Sequence, residues 1–365
     1  MKVIFAGGGT GGHLYPAIAM AREILKRDPA SKVLFVGTPE GIESRILYRE
    51  GLELKTIRVR GLKGKKRMEQ ARALLSLPRA LMESFSILRS FQPDAVVGVG
   101  GYASGPLVLA AFLSRRRTAL QEQNSIPGIT NRILGKLVDR IYTAYPESHV
   151  YFPKEKISET GNPIREGLGS GNREEAVRHF GLDPDQRTIL VLGGSLGAHA
   201  INLMVSDMVK TSDWAGIPVQ FLHQTGEADY QEVLKAYEVS GVRASVRPYV
   251  HEIALAYAAA DLAVSRAGAV ALSELCVSGV ASLLIPFPYA ADEHQKRNAD
   301  VMAGAGAAEV FLQEDLTSKK LGERIRALLA DPVRLGGMRE AALAHARPHA
   351  AKAVVEDLER LINAF

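Results

Sequence analysis

One segment of this chain occurs twice. VIFAGGGTGGH at residues 3–13 and ILVLGGSLGAH at 189–199 each run from an apolar strand through a glycine-rich turn into a helix-like stretch. Strand, glycine turn and helix in that order open a parallel βαβ unit. Two such openings, half a chain apart in 365 residues, imply two domains of similar size, each with its own core.

The rest of the pattern agrees. Short apolar runs at 3–6, 33–36, 95–99 and 119–121 read as strands in the first half, with helical stretches at 17–26 and 107–113 between them. Runs at 189–192, 219–223, 262–265 and 282–285 repeat the arrangement in the second half. Strands alternating with helices specify an α/β fold with parallel, doubly wound sheets. TGNPI at 160–164 is the linker expected between residues 1–161 and 162–344. An amphipathic stretch at 351–361 predicts a last helix within 345–365 that packs back on the first domain.

Glycine loops follow strands at 7–12, 98–105 and 193–197. Glycine lets backbone amides approach a ligand closely, and a following helix start adds partial positive charge, a combination suited to phosphate. Gly7, Gly9 and Gly12 satisfy G-x-G-x-x-G, but the second strand ends in Gly37 and Thr38 where a dinucleotide site needs an acid for the ribose. A P-loop fails as well, because His13 follows the glycines instead of Lys-Ser/Thr. Three loops in two similar halves favour a diphosphate ligand over three unliganded turns.

Charge divides the halves. Residues 1–160 hold 25 Lys/Arg against 14 Asp/Glu, a balance of +11, while 161–365 hold 20 against 26, or −6. The first half is therefore expected to meet an anionic partner. Six cations in RVRGLKGKKR at 58–67 precede Leu74, Leu75, Leu77, Leu81, Met82 and Phe85, and Arg115–Arg117 form a second cluster. Such charges suit an anionic membrane surface; the leucines fit either a domain core or an apolar membrane contact. Nucleic acid is disfavoured, since no recognisable binding module or aromatic platform is present. The single cysteine, Cys276, excludes a disulfide framework, and no apolar run reaches the roughly 18 residues of a membrane span. The opening MKVIFAGGG reads as a strand, so a cytoplasmic location is expected.

GGTGGHLYPA at 8–17, GGYASGP at 100–106, QEQNSIPGITNR at 121–132 and GNPIR at 161–165 resemble the MurG family, as do LGGSLGAHAIN at 192–202, HQTG at 223–226, SRAGAVALSEL at 265–275 and DEHQKRNA at 292–299. These transferases add N-acetylglucosamine to the lipid-linked muramoyl-pentapeptide precursor of peptidoglycan. The resemblance implies the GT-B architecture, two Rossmann-like domains facing across a cleft. It implies UDP-N-acetylglucosamine as donor, bound mostly by the second domain, and lipid I as acceptor, held by the first at the cytoplasmic face of the membrane. Cell-wall synthesis proteins are the partners it suggests. A different UDP-sugar transferase or a UDP-sugar epimerase shares the architecture but fits the QEQN, HQTG and DEHQKRNA stretches less well, and the intact loops with Glu274, Gln295 and His13 argue against a non-catalytic nucleotide-sugar-binding protein.

Carried over residue by residue, the resemblance gives Glu274 the ribose hydroxyls and Val250 a backbone contact to uracil. Ala269, Val270, Ala271, Leu272 and Ser273 line the donor with Glu274. Ser195 and its loop meet the diphosphate, with Arg165 as a further charge, and Gln295 meets the sugar 4-hydroxyl. Thr10, Gly11 and Gly12 match donor-contact positions of the family and Asn124 a further polar contact in the cleft, while Gly101, Tyr102 and Ser104 fall on the acceptor side. His13 is the catalytic candidate, either as the base that deprotonates the acceptor 4-hydroxyl or as a hydrogen-bonding ligand. No obligatory metal is expected, though a divalent cation could stimulate. The nearest Asp-x-Asp, Asp183-Pro-Asp185, reads as a surface turn.

Overall fold

The computed structural model describes residues 1–39, 43–59, 67–194, 197–214 and 216–364, apart from the side chains of 67–75 and 291. It contains two compact units. One comprises Met1–Arg165 together with Pro348–Phe365, the other Glu166–Arg347.

The first unit is built on β1 (Lys2–Gly7), β2 (Lys32–Gly37), β3 (Glu53–Thr56), β4 (Ala95–Gly100), β5 (Arg117–Glu122), β6 (Arg140–Thr143) and β7 (Ile157–Glu159). These lie parallel in the order β3-β2-β1-β4-β5-β6-β7. Side chains alternate across such a sheet. Val3, Phe5, Phe35, Val97 and Val99 enter one core with helix Gly11–Arg27 and with Val354, Val355 and Leu358 of the last helix, Ala350–Asn363. Ile4, Ala6, Leu34, Val36 and Val96 enter another with helix Ser104–Leu113 and with Ile87 and Leu88 of helix Arg67–Phe91. A sheet covered on both faces explains why its central strands are unbroken apolar runs. The last helix is also tied by charge: Arg27 meets Glu356 at 3.2 Å and Glu359 at 2.9 Å, and Arg140 meets Asp357 at 2.9 Å.

The second unit repeats the plan with β8 (Arg187–Leu192), β9 (Val219–Gln224), β10 (Ala244–Arg247), β11 (Leu262–Ser265), β12 (Ala281–Leu284) and β13 (Ala308–Val310), in the order β10-β9-β8-β11-β12-β13. All pair in parallel.

The hand-over between units falls at Arg165/Glu166, four residues beyond the sequence expectation. Thr160 and Gly161 both donate to the Thr143 carbonyl at 3.1 Å. Asn162 accepts from Gln121 Nε2 at 3.0 Å and donates to the Gln123 carbonyl at 3.1 Å. TGNPI is thus bonded into the first unit and is not a free linker.

Candidate active site

Each sheet reverses its strand order once, between β1 and β4 in the first unit and between β8 and β11 in the second. Open parallel sheets bind ligands at the carboxyl ends of the strands flanking such a switch point. Thr10–His13 and Gly101–Ser104 follow β1 and β4, and Ala269–Glu274 follow β11, whereas Asn124, Val250 and Gln295 follow β5, β10 and β12.

In the first unit the turn after β1 lies against the turn after β4. The Gly8 amide donates to the Gly100 carbonyl at 3.2 Å. A Cβ on Gly7, at φ +140°, would stand 2.0 Å from the Gly100 oxygen; one on Gly101, at φ +81°, would stand 2.4 Å from the Gly8 oxygen. Those positions are glycine because the loops interleave, a demand that exists without any ligand. The Gly9 amide donates to Glu43 Oε1 at 2.6 Å. Gly11 and Gly12, at the start of helix Gly11–Arg27, donate to no protein acceptor among the described residues. Gly11 is buried and Gly12 exposed, and the helix start carries partial positive charge, an arrangement suited to an anion.

Thr10 precedes this helix, and its hydroxyl lies 3.1 Å from His13 Nδ1. The other edge of the imidazole packs on Gly100, where a Cβ would stand 2.8 Å from the ring. Thr10, Gly11, Gly12, His13 and Gly101 are therefore neighbours, with the partly exposed Tyr102 next along the second loop. Ser104 departs from its expected role. It is fully buried, and its hydroxyl sits where a Cβ on Gly98 would come within 2.5 Å, so the side chain faces the strand beneath and not an open surface. Arg165 stays with the first unit, its guanidinium 4.3 Å over the ring of Tyr15, two residues beyond His13.

Asn124 is half-buried and donates to Glu122 Oε1 through its backbone amide at 3.0 Å and its side chain at 3.3 Å. Burial pushes the Glu122 carboxyl above the usual range, against the hydrogen bonds from Asn124 and Asn131 that favour its charged form. Gln123 Nε2 donates to the Val99 carbonyl at 2.9 Å. The QEQN stretch thereby joins β4, β5 and Asn162.

In the second unit, Ser195 lies outside the described residues. The described part of its loop is held by side chains. Gln224 donates to the Gly194 carbonyl and accepts from the Val250 amide, both at 2.9 Å. Val250 is buried and its N–H is taken. Behind Gln224, buried His223 lies between Asn202 Oδ1 at 3.1 Å and the Tyr237 hydroxyl at 3.2 Å, and burial lowers its pKa to about 3. Asn202 donates to the Thr225 carbonyl and to Asp229, each at 2.7 Å.

Helix Ala269–Val277 starts at the second switch point. Ala269, Val270 and Leu272 are buried; Ala271 and Ser273 are half-buried, and the Ser273 hydroxyl donates to the Ala269 carbonyl at 3.0 Å. Leu272 lies wholly in the interior, so its side chain is not open to a ligand. Glu274 is 2% exposed and accepts from the Tyr257 hydroxyl at 3.1 Å, which fixes the carboxylate. Gln295, in the first turn of helix His294–Gly304, accepts from the Phe287 amide at 3.0 Å. An N–H can only donate, so Oε1 is engaged and the Gln295 amino group is the part turned to other partners. The preceding Asp292 and Glu293 have φ of 55° and 53°, a left-handed backbone uncommon outside glycine.

Asp183-Pro-Asp185 forms a turn closed by its own side chain, with the Asp185 amide donating to Asp183 Oδ1 at 3.0 Å. Among the described residues, no group of three or more His, Cys, Asp or Glu is placed to hold a metal ion.

Residues 3–143 match the N-terminal domain of glycosyltransferase family 28, and residues 188–354 match its C-terminal domain. The chain belongs to the MurG family of these transferases. A UDP-N-acetylglucosamine–N-acetylmuramyl-(pentapeptide) pyrophosphoryl-undecaprenol N-acetylglucosamine transferase of Thermodesulfovibrio yellowstonii is 43% identical over 363 residues, covering 100% of this chain and 99% of the relative. The Myxococcus xanthus enzyme of the same name is 45% identical, covering 98% and 92%. Acinetobacter baumannii MurG, a crystal structure, superposes with a TM-score of 0.77 at 29% identity, covering 98% of this chain and 99% of its own. Staphylococcus aureus MnaA in complex with UDP, at 12% identity and a TM-score of 0.70, shares the fold. MurG relatives thus share both halves of the chain.

Several residues that shape these sites carried no assignment from sequence. Gln224 and Asn202 stand inside HQTG and LGGSLGAHAIN, so the motifs marked them without giving their part. Glu43 had no signal. It lies 34 residues beyond Gly9 and is brought beneath the loop by the fold.

Proposed function

We infer that this protein transfers N-acetylglucosamine from UDP-N-acetylglucosamine to the 4-hydroxyl of the muramoyl sugar in undecaprenyl-diphospho-MurNAc-pentapeptide, forming the lipid-linked disaccharide used for peptidoglycan. The observation that carries this reading is full-length similarity to transferases named for that reaction. The two switch points, each with its own loop chemistry, support it.

The second unit takes the donor. Glu274, fixed by Tyr257, accepts from the ribose hydroxyls, and the Val250 carbonyl meets the uracil because its amide is occupied. The amino group of Gln295 donates to the sugar 4-hydroxyl, a contact that penalises the 4-epimer by leaving a polar group unpaired. Ser195 and the loop around Gly194 meet the diphosphate, where preorganised amides stabilise the charge that grows on departing UDP. The first unit takes the acceptor. His13, aligned by Thr10, receives the 4-hydroxyl proton as that oxygen attacks the anomeric carbon. One displacement gives inversion, with UDP leaving opposite the new bond. No divalent cation is required, and Arg165 supplies a further positive charge for the diphosphate.

The enzyme works at the cytoplasmic face of the membrane as a peripheral protein. No described helix is long and apolar enough to cross a membrane. Met82 and Leu113 are 66% and 58% exposed, on helices that pack together, and Arg115–Arg117 follow directly. Leu77 and Leu81 are half-buried, whereas the side chains of Leu74 and Leu75, and residues 60–66, lie outside what is described. Labelled UDP-N-acetylglucosamine, a lipid I analogue and a chelator control test this account. Disaccharide formation unaffected by chelator is expected. Absence of product would overturn the reaction, and loss of product on chelation would overturn its independence of metal.

A further inference from the structure

Beneath the first glycine loop lies a carboxylate to which the reaction gives no part. Glu43 is 1% exposed, at the start of helix Glu43–Arg49. Its Oε1 accepts from the Gly9 amide at 2.6 Å, while Oε2 is buried without a partner among the described residues. Two glycines make room for it. A Cβ on Gly8 would stand 1.9 Å from Oε1, and one on Gly37 would stand 3.3 Å from the same atom. A buried carboxylate is costly unless hydrogen-bonded, and a charge-assisted bond to a backbone amide is among the stronger kinds. Here that bond goes to one loop amide and to no cation among the described residues.

We propose that Glu43 is a positioning residue for sugar transfer. Its carboxylate holds the Gly9 amide and fixes the loop through which Thr10, Gly11, Gly12 and His13 are presented. Gly8 is bonded to Gly100 and Gly9 to Glu43, so two loop amides are held from within the unit, while, among the described residues, those of Gly11 and Gly12 at the helix start are not. The role is to hold the loop that presents His13, not to touch either substrate. It rests on the reading that this loop faces the reacting sugar.

The test compares Glu43→Ala, Glu43→Gln, Glu43→Asp and His13→Ala in the full-length protein, measuring kcat and the KM for UDP-N-acetylglucosamine with a lipid I analogue. Glu43→Ala removes the acceptor and is expected to lower kcat about 10- to 100-fold, the range for losing a hydrogen bond to a charged group, with donor KM changed less than about threefold. Glu43→Gln keeps an oxygen at the same reach and restores kcat to within about threefold of wild type. Glu43→Asp retracts the oxygen by one methylene and loses turnover like the alanine variant; it decides the matter if Glu43→Ala does not fold. Wild-type turnover in Glu43→Asp, or a Glu43→Gln enzyme as slow as Glu43→Ala, overturns the proposal. If His13→Ala turns over normally, the reading of the loop itself falls. If His13→Ala is slow while the Glu43 variants are normal, only the role of Glu43 falls.

Discussion

The two switch points come from one plan, and they are stiffened in different ways. In the first unit, glycine loop packs on glycine loop, and a buried carboxylate takes the remaining inner amide. In the second, the loop is held from behind by Gln224, with Asn202, His223 and Tyr237 supporting it through buried hydrogen bonds. Backbone interleaving leaves a helix start and an imidazole exposed to chemistry. Side-chain anchoring leaves a buried carboxylate and a hydrogen-bonded backbone, to which the proposed function gives the nucleotide. Glycines in a repeated motif need not serve the same purpose in both copies: Gly7 answers to the Gly100 oxygen of the neighbouring loop, whereas Gly197 answers to the Thr225 carbonyl, 1.9 Å from where its Cβ would be.

The largest break in this comparison should come from His13→Ala. Loss of a general base costs about 10²- to 10⁴-fold, so kcat should collapse while UDP-N-acetylglucosamine affinity persists. Steady-state kinetics beside calorimetric titration separate the two effects. Glu274→Ala should act in the opposite sense, weakening the donor about 10- to 100-fold by removing a carboxylate that accepts hydrogen bonds. Tyr257→Phe should give a smaller loss in the same assay, because it removes one bond to the carboxylate without deleting the group.

Gly101→Ala is the next test. Its φ of +81° and the 2.4 Å approach to the Gly8 oxygen predict destabilisation of about 1–3 kcal/mol and slower turnover, with donor affinity kept. Chemical denaturation and titration check the two parts. The smallest effect sharpens the second unit's side. His223 is held neutral with a pKa of about 3, whereas an unfolded histidine binds its proton near 6.5. The unfolded state therefore takes up a proton first, and the contribution of His223 is fully present above about pH 6.5 and declines as pH falls towards 3, by at most about 1.4 kcal/mol per unit. Denaturation followed between pH 7 and 4 should show the decline, and His223→Gln should flatten it.

How much of this the sequence disclosed follows from burial and distance. β1, β4, β8 and β11 are apolar because both faces are covered, so they stood out as runs. β3, β7, β10 and β13 did not. Each is an edge strand of three or four residues, such as ELKT or ISE, stabilised by one neighbour and partly exposed, so its composition resembles a loop. β6, RIYT, was missed for its shortness and its leading charge. Among site residues, those on the loops themselves were legible because the chemistry and the turn geometry demand the same glycines and hydroxyls. Ser104 misled because a hydroxyl at a helix start looks the same whether it faces solvent or the strand beneath. The displacement of Arg165 to the first unit depended on Asn162, whose partners Gln121 and Gln123 lie some 40 residues earlier.

The central claim is the division of labour between the switch points, with donor binding in the second and proton transfer in the first. Titration of UDP-N-acetylglucosamine into His13→Ala and Glu274→Ala, both checked for folding, tests it most directly. The account predicts wild-type donor affinity for His13→Ala and affinity weakened about 10- to 100-fold for Glu274→Ala. Equal loss in both, or unchanged binding in Glu274→Ala, would contradict it.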